Sequence, residues 1–471
     1  MTIAKSAMQG ISWSAASTIF KGVVQLAQLV ILARILSPIE LGLLAMVNLV
    51  VGLAQIFGDA GISNATIYYR DLTRAQLNQL YTVNIAFGLF ISVVVMLASY
   101  PIEAFYAMDN LAELLVLLAP VFFIRSLSQQ HIALLQQQLK FNQLAKIEIL
   151  ASAIGFIGLL VFLFYGLKLE AVVFAQLVTA AVLSCVLLFF TKLESVSLKF
   201  PRWSETSRPI KYGLYQTGEA FINYLSAQFD QLLIGKLLGT EVLGIYSYVK
   251  ALVFRPALQL INPIVNKVTF PLMVNYKESH SISSIYAQII RFLSMVNVPL
   301  YLGMALYPAS VLYIAYGDEW QQYGELLRWL ALNMLIISLI NPVGALLRAT
   351  GEVRRGFVWN IFVTLIRPVV IVVSVSNGVV WLVKMLVILQ AFLFILHWRF
   401  LISPVAKLAF GKLIKACLVP FAVLGVSALA VFVFDNQIQA MPSLLELLFV
   451  ALAYCLLMFP FVQNTLKEIR K

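Results

Sequence analysis

Long apolar runs that recur along almost the whole chain constrain its fold more than any other feature. Each is about 20 residues long, the length that crosses a hydrocarbon layer of about 30 Å as an α-helix. Short connections separate them. The runs lie at 10–36, 41–66, 79–100, 114–138, 146–166, 170–191, 210–237, 242–274, 287–309, 325–347, 356–376, 379–398, 414–434 and 444–463. The sequence therefore predicts an all-α polytopic membrane protein with about fourteen transmembrane helices.

Composition supports a membrane environment and argues against a soluble domain. Hydrophobic residues make up 61% of the 471 residues and charged residues only 11%, whereas a soluble domain carries roughly 25% charged residues. The few cysteines and histidines are scattered, so no metal site is expected. Export driven directly by ATP is excluded for this chain alone, because the sequence holds no GxxxxGK[ST] phosphate loop.

The charges of the connections predict how the helices are oriented. Lysine and arginine concentrate in connections on the cytoplasmic side of a membrane. With the N-terminus inside, the inner connections hold most of these residues, including Lys5, Arg70, Arg74, Lys140, Lys199, Arg202, Arg354, Arg355, Lys407 and Lys467. The outer connections hold only Arg34, Lys168 and Lys236. We expect both termini in the cytoplasm, and this orientation explains the net charge of +12 without nucleic-acid binding.

The sequence repeats weakly at a shift of 202 residues. The segment from Arg34 to Gly42 aligns with the segment from Lys236 to Gly244, and they follow the first and the seventh predicted span. Copies six spans apart enter the membrane from the same side, as parallel repeats do. We therefore predict two pseudo-symmetric six-helix lobes at 1–200 and 201–400, with helices 13 and 14 and a cytoplasmic tail at 401–471.

Polar side chains form matching stripes on the two helices that begin the repeats. The stripe is Ser14, Ser17, Lys21, Gln25 and Gln28 on helix 1, and Gln216, Glu219, Asn223, Ser226 and Asp230 on helix 7. Spacings of three and four residues place each stripe on one helical face. Both helices are then expected to line one aqueous cavity, although hydrogen bonds between helices also favour Ser, Asn and Gln.

Ionisable residues lie deep within the spans, where each costs about 2.5–3.5 kcal/mol if it faces lipid. The deepest cations are Lys21, Arg125, Arg255 and Arg367, and the acids are Asp59, Glu148, Glu219 and Asp230. With the further lysines and arginines nearer the helix ends, cations outnumber acids, which favours an anionic ligand such as a diphosphate. Alternatively, the acids neutralise these cations as buried pairs. A third role for the acids is to carry a coupling proton or sodium ion.

These considerations give one set of candidate site residues. The predicted substrate-binding residues are Lys21, Arg255, Arg125, Arg367, Gln25, Gln28, Asn223, Gln259 and Asn262, the last two forming a stripe with Arg255. The predicted ion-coupling residues are Asp59, Glu148, Glu219 and Asp230. No catalytic or metal-binding residue is expected, and the chain is not expected to be an enzyme.

Three segments resemble the polysaccharide transporter family of the MOP flippase superfamily, which includes the Wzx-type O-antigen and exopolysaccharide flippases. They are Leu32-Ala-Arg-Ile-Leu-Ser-Pro-Ile-Glu-Leu-Gly-Leu-Leu44, Phe57-Gly-Asp-Ala-Gly-Ile-Ser-Asn-Ala-Thr-Ile67 and Leu346-Leu-Arg-Ala-Thr-Gly-Glu-Val-Arg354. The resemblance implies a V-shaped, MATE-like fold. It also implies transport of an undecaprenyl-diphosphate-linked oligosaccharide across the bacterial inner membrane, from the cytoplasmic to the periplasmic leaflet, by alternating access.

The resemblance further implies how such a protein works. In these flippases cations in a central cavity engage the diphosphate, an ion gradient drives the cycle, and helices 13 and 14 form a groove for the lipid tail. Lys21 and Arg255 fit the cavity cations by position. The expected partners are the lipid-linked oligosaccharide, membrane lipids and polysaccharide polymerase or export machinery. No cofactor is expected besides the coupling ion, a proton or sodium.

Two other functions are alternatives to the flippase. A cation or drug antiporter of the same superfamily would favour a cavity dominated by acids, whereas the deep charges here are mainly basic. A membrane-embedded glycan polymerase or ligase would need a substantial outer loop with catalytic residues, and the outer loops here are short.

Overall fold

The structure, a computed structural model, describes residues 3–59, 61–69, 71–190, 198–261, 273, 282–438 and 443–470. All regular secondary structure in these ranges is helical, which confirms the predicted all-α class. The chain forms two compact units, Met1–Ser247 and Tyr248–Lys471. The division into 1–200, 201–400 and 401–471 that the repeat predicts stays a prediction.

The first unit contains nine helices of the described chain and the beginning of a tenth. They are α1 (Ile3–Ile35), α2 (Pro38–Gly58), α3 (Ile62–Tyr68), α4 (Arg74–Tyr106), α5 (Leu111–Leu118), α6 (Pro120–Gln137), α7 (Phe141–Phe164), α8 (Leu169–Phe190), α9 (Trp203–Leu237) and α10 (Gly239–Arg255). The capping boxes of Ser37 with Glu40 and of Thr73 with Gln76 fix the starts of α2 and α4, since each satisfies two backbone N–H groups that a helix start leaves unpaired.

The second unit begins inside α10 and includes two π-helical turns. Its elements are the π turn Pro256–Ile261, α11 (Ile282–Leu306), α12 (Pro308–Tyr316), the 3₁₀ turn Asp318–Tyr323, α13 (Gly324–Ile340), α14 (Val343–Thr350), α15 (Val353–Val375), α16 (Val379–His397), the π turn Trp398–Ile402, α17 (Ser403–Ala406), α18 (Phe410–Ile438) and α19 (Ser443–Arg470). Helix α11 packs against α13, α18 and α19. The buried hydroxyl of Tyr454 donates to the carbonyl oxygen of Met295 at 2.9 Å, which ties α19 to α11.

Eleven helical segments of the described residues are long and apolar enough to cross a membrane. This confirms the prediction of a multi-pass membrane protein. The other three predicted spans fall on α9, α10 and α19. Polar residues interrupt α9 along its length, α10 has 17 residues, and the described apolar part of α19 is Phe449–Phe461.

The predicted second span, 41–66, is broken in the structure, and this corrects the sequence analysis. Helix α2 ends at Gly58, and the short helix α3 starts at Ile62. Between them Gly61 has a φ of +67°, a conformation that residues with a side chain rarely adopt. A Cβ atom at Gly61 would also lie 2.4 Å from the carbonyl oxygen of Gly213 in α9. The break therefore lets the backbone of α9 approach.

The aligned glycines of the two repeats contact each other where α2 and α10 begin. A Cβ atom at Gly244 would lie 2.1 Å from the carbonyl oxygen of Pro38 and 2.6 Å from the backbone nitrogen of Gly42. A Cβ atom at Gly42 would lie 1.9 Å from the carbonyl oxygen of Thr240. Small residues allow such close approach of membrane helices. The repeat thus preserves the residue type that this contact requires.

We expect Gly244→Ala to lower the melting temperature of the purified protein in detergent, because its methyl group must push α10 away from Pro38. Overpacking of this kind costs about 1–3 kcal/mol. Gly218→Ala in α9 is the matched control, since a Cβ atom there meets no atom within 4 Å, and it should leave the melting temperature unchanged or raise it. Equal melting temperatures for the two variants would show that the contact is not tight.

Candidate functional site

Lys21 lies in a charged cluster that joins α1 to α7. Its ammonium nitrogen Nζ is 2.7 Å from Oε2 of Glu148, and the hydroxyl of Ser17 donates to the same oxygen at 2.7 Å. Ser17 is buried, whereas the side chains of Lys21 and Glu148 keep 37% and 27% exposure. A predicted substrate-binding cation is therefore paired with a predicted ion-coupling acid, in a pair that is only partly buried. The exposed fraction leaves room for a ligand to reach Lys21.

The matched polar stripes of helices 1 and 7 lie in different environments. Ser17 is buried in α1, whereas its repeat equivalent Glu219 is exposed on α9. Lys21 is half-buried and paired, whereas its equivalent Asn223 is exposed. Equivalent positions of the repeat thus differ in burial, because burial depends on the neighbouring helices.

Exposed polar side chains lie within the long helices of the first unit. They are Gln25 on α1, Asn48 and Gln55 on α2, and Glu219 and Asn223 on α9. In a membrane such groups avoid lipid and face water or protein. Helix α2 contacts both α1 and α9. We call this set of exposed polar side chains on α1, α2 and α9 the polar face.

Tyr224 holds α9 against α2 in the middle of this polar face. Its hydroxyl donates to the carbonyl oxygen of Leu49 at 2.9 Å. A Cβ atom at Gly52 would lie 2.3 Å from the Tyr224 hydroxyl oxygen, so glycine makes space for the phenol. This contact brings the segments that carry Asn48 and Asn223 side by side. Tyr224 is not among the residues predicted from the sequence, because no local pattern distinguishes it.

Two of the predicted ion-coupling acids are held by hydrogen bonds. Asp230 is buried, and it accepts bonds from the hydroxyl of Tyr246 and from the backbone N–H of Gln231. Asp59 follows the end of α2 and accepts bonds from both the hydroxyl and the backbone N–H of Ser63. Asp59 thus closes the turn into α3. Both acids have a structural role that is independent of any ion.

The remaining predicted cations are all half-buried. Arg125 lies in α6 and Arg367 in α15, and neither forms an ion pair within the described residues. Arg255 ends α10 at the π turn, in the second unit. It lies near the phenols of Tyr248 and Tyr316.

The structure brings only some of the predicted residues together. Lys21 and Glu148 are in contact. Gln25, Glu219 and Asn223 are exposed on α1 and α9, as Asn48 and Gln55 are on α2. Gln28 is half-buried on α1, and the predicted role of each of these residues stays a prediction. Asn262 and the side chain of Gln259 lie outside the described residues.

Comparison with known proteins gives a consistent family. Residues 31–325 match the family model described as polysaccharide biosynthesis protein. The chain is 30% identical over 441 residues to teichuronic acid biosynthesis protein TuaB of Bacillus subtilis (strain 168), covering 92% of this chain and 89% of that protein. It is 27% identical over 425 residues to lipopolysaccharide biosynthesis protein WzxC of Escherichia coli (strain K12), covering 89% and 86%.

Solved structures show that the chain has a fold similar to those of MurJ and MATE transporters. The chain superposes on lipid II flippase MurJ in an inward closed conformation with a TM-score of 0.76 at 14% identity, covering 96% of this chain and 99% of that one. A multidrug resistance MATE family transporter of the MOP superfamily, in an inward-facing conformation, gives 0.61 at 16% identity, covering 82% and 96%. At these identities the likeness concerns the fold alone.

We expect Tyr246→Phe to destabilise the protein by about 1–3 kcal/mol, because buried Asp230 loses a hydrogen-bond donor. The matched control is Tyr286→Phe. The Tyr286 hydroxyl is fully buried, and within the described residues it has no hydrogen-bond partner, so its removal should be neutral or stabilising. Thermal unfolding of both variants in detergent measures the difference. If Tyr246→Phe loses less stability than Tyr286→Phe, the result would contradict the hydrogen bond from Tyr246 to Asp230.

Proposed function

Because this chain belongs to the family of polysaccharide biosynthesis proteins, we propose that it flips a lipid-linked oligosaccharide across the inner membrane of a bacterium. The substrate would carry a diphosphate between its lipid and its glycan, as in undecaprenyl-diphosphate-linked precursors. The relatives named above are biosynthesis proteins for teichuronic acid and lipopolysaccharide, and the protein with the similar fold is a lipid II flippase. Alternating access, rather than catalysis, would then be the activity.

The polar face of the first unit is the observation that carries this proposal. A glycan cannot cross hydrocarbon without water or polar partners, since each polar group left unsatisfied costs several kcal/mol. Exposed amides at Gln25, Asn48, Gln55 and Asn223 offer both donors and acceptors. Sugar hydroxyls donate and accept hydrogen bonds, so they need partners of both kinds. The polar residues that interrupt α9 are therefore what a transport surface requires.

The deep cations would bind the diphosphate. Arginine forms bidentate hydrogen bonds to phosphate, and lysine supplies a compact positive charge. Lys21 lies on the same helix as Gln25, four residues earlier, so one side of α1 would hold both phosphate and sugar. Arg255 would play the equivalent part in the second unit. Arg125 and Arg367 are further candidates, because neither is neutralised by an acid in the described chain.

The pair of Lys21 and Glu148 offers a means of coupling to an ion gradient. A phosphate that binds Lys21 competes with Glu148 for the same ammonium group. A carboxylate that loses its cation in a poorly hydrated site binds a proton or a sodium ion more readily. Binding of substrate would thus promote uptake of the ion, and release of substrate would restore the pair.

The proposed arrangement in the membrane has fourteen crossings, with α9, α10 and α19 added to the eleven apolar segments. Both termini would lie in the cytoplasm, in accord with the distribution of lysine and arginine. The two repeats would form six-helix lobes, and the last two helices would serve the lipid tail. Polysaccharide polymerase and export machinery would use the product on the periplasmic side.

Deletion of the gene should cause a lipid-linked glycan to accumulate in the cytoplasmic leaflet and should abolish the surface polysaccharide. Complementation with Lys21→Ala or Arg255→Ala should restore at most about a tenth of export, since a charged hydrogen bond contributes about 1.5–3 kcal/mol. Lys168→Ala is the matched control, because Lys168 also pairs with a glutamate, Glu40, at 3.1 Å but lies in a short connection. The Lys168→Ala strain should export polysaccharide normally, and all variants should insert into the membrane at equal levels.

The same strains separate the other functions. If the deletion strain keeps its normal surface polysaccharide and becomes sensitive to drugs, the result would indicate an antiporter. Accumulation of single repeat units in the periplasmic leaflet would indicate a polymerase or ligase. Either result rejects the flippase.

We expect Glu148→Gln to remove the response of transport to the coupling ion while substrate binding is retained. The amide cannot take up a proton or hold a sodium ion as a carboxylate does, and it leaves Lys21 free for the phosphate. The measurement is flipping of a labelled lipid-linked glycan in vesicles, with and without an imposed proton or sodium gradient. Lys168→Ala should respond as the wild type does. An undiminished response of Glu148→Gln to both gradients would exclude Glu148 from coupling.

A further inference from the structure

A cavity of about 650 Å³ lies in the second unit, between the start of α15 and the end of α16. It has two chemically distinct parts. Glu352, Arg354 and Arg355 line it at the start of α15, and Val358, Trp359, Phe362, Leu396, Phe400 and Leu401 line the rest. The volume falls in the range of about 300–1,000 Å³ that is typical of ligand sites. A molecule that fills this cavity must therefore be polar at one end and apolar over most of its length.

The cavity lies beside an exposed apolar surface of α15. On α15 the large apolar side chains near the cavity are exposed, with Phe357 at 64%, Val358 at 58% and Leu365 at 68%. In a membrane protein such a surface contacts acyl chains, because water does not reach it at that depth. The polar face described above lies in the first unit, whereas this cavity lies in the second.

The charges at the polar end leave one net positive charge. Arg355 donates from Nε to Oε2 of Glu352 at 2.9 Å, an ion pair within the first turns of α15. Arg354 is exposed and forms no ion pair within the part of the chain that the structure describes. The terminal N–H groups of both arginines can donate to one phosphate. A single phosphodiester matches this charge, whereas a diphosphate carries more negative charge than the end of the cavity balances.

The apolar end is built by an unusual turn. Helix α16 ends in the π turn Trp398–Ile402, and this turn presents Phe400 to the cavity. Turns of this kind are rare and occur frequently at functional sites. On the opposite wall the ring of Trp359 packs edge-on against buried His397, with 5.1 Å between ring centroids. The wall is therefore fixed by packing.

We propose that this cavity binds an anionic phospholipid of the surrounding bilayer. Its phosphate would lie on Arg354 and Arg355, and one acyl chain would lie against Val358, Trp359, Phe362 and Phe400. Basic pockets between transmembrane helices at a membrane surface bind anionic headgroups in this way. The bound lipid would link α15 to α16 at their charged ends. The phospholipid would bind here whatever molecule the protein transports.

The test is native mass spectrometry of the purified full-length protein in detergent, with phosphatidylglycerol and phosphatidylethanolamine of identical acyl chains. We expect the wild type to retain phosphatidylglycerol in preference to phosphatidylethanolamine. The double variant Arg354→Gln/Arg355→Gln should retain phosphatidylglycerol at least about fivefold less. Arg202→Gln is the matched control, because Arg202 also pairs with a glutamate three residues away at a helix start. It should behave as the wild type.

A second pair of variants tests the apolar end of the cavity and leaves both arginines in place. Val358→Trp should fill the cavity and reduce retention of phosphatidylglycerol, whereas Val372→Trp, on the same helix at a similar 55% exposure, should not. Equal retention by Val358→Trp and Val372→Trp, or by the arginine double variant and Arg202→Gln, would overturn the proposal. Displacement of phosphatidylglycerol by equimolar undecaprenyl diphosphate, through the same residues, would also overturn it and assign the cavity to the carrier lipid.

Discussion

The instability of an unpartnered charge in hydrocarbon is the constraint on which this structure depends. Lys21 and Glu148 are 127 residues apart in sequence, and their contact holds α1 against α7. Asp230 meets Tyr246 in the same way and holds α9 against α10. Lys21 and Asp230 thus help to fix which helices pack together. The residues that stabilise the packing in the membrane are also those whose chemistry a transported headgroup or an ion can use.

The aligned positions of the predicted repeat agree at one helix contact and differ in their polar side chains. Gly42 and Gly244 keep the same residue type because α2 and α10 touch there, and a side chain on either would displace the other backbone. Lys21 and Asn223 occupy equivalent positions, yet one is paired with an acid and the other is exposed. The aligned segments therefore agree at a close contact between helices and differ at a polar position.

The sequence predicts the helices well because the bilayer leaves little freedom. Backbone groups in hydrocarbon must bond within their own segment, so an apolar run of sufficient length becomes a helix. The predicted span 41–66 fails at Asp59–Gly61, where a hydrogen bond to Ser63 and a close approach of α9 override the apolar pattern. The partners of Lys21, Asp230 and Tyr224 could not be predicted, since each lies on another helix and depends on tertiary packing. Arg125 and Arg367 were found as deep cations by span position alone, and their role stays a prediction.

The pairing of Lys21 with Glu148 bears on how a flippase could release a diphosphate. A ligand shifts a conformational equilibrium only by its difference in affinity between the two states. A deep cation with no partner would bind a phosphate strongly in every state and would hold the substrate. When an acid competes for the same ammonium group, the free energy gained on binding the phosphate is smaller. Protonation of that acid changes this free energy. On the proposed mechanism, Glu148 therefore sets the affinity of Lys21 for phosphate according to the ion concentration on the side to which the site is open.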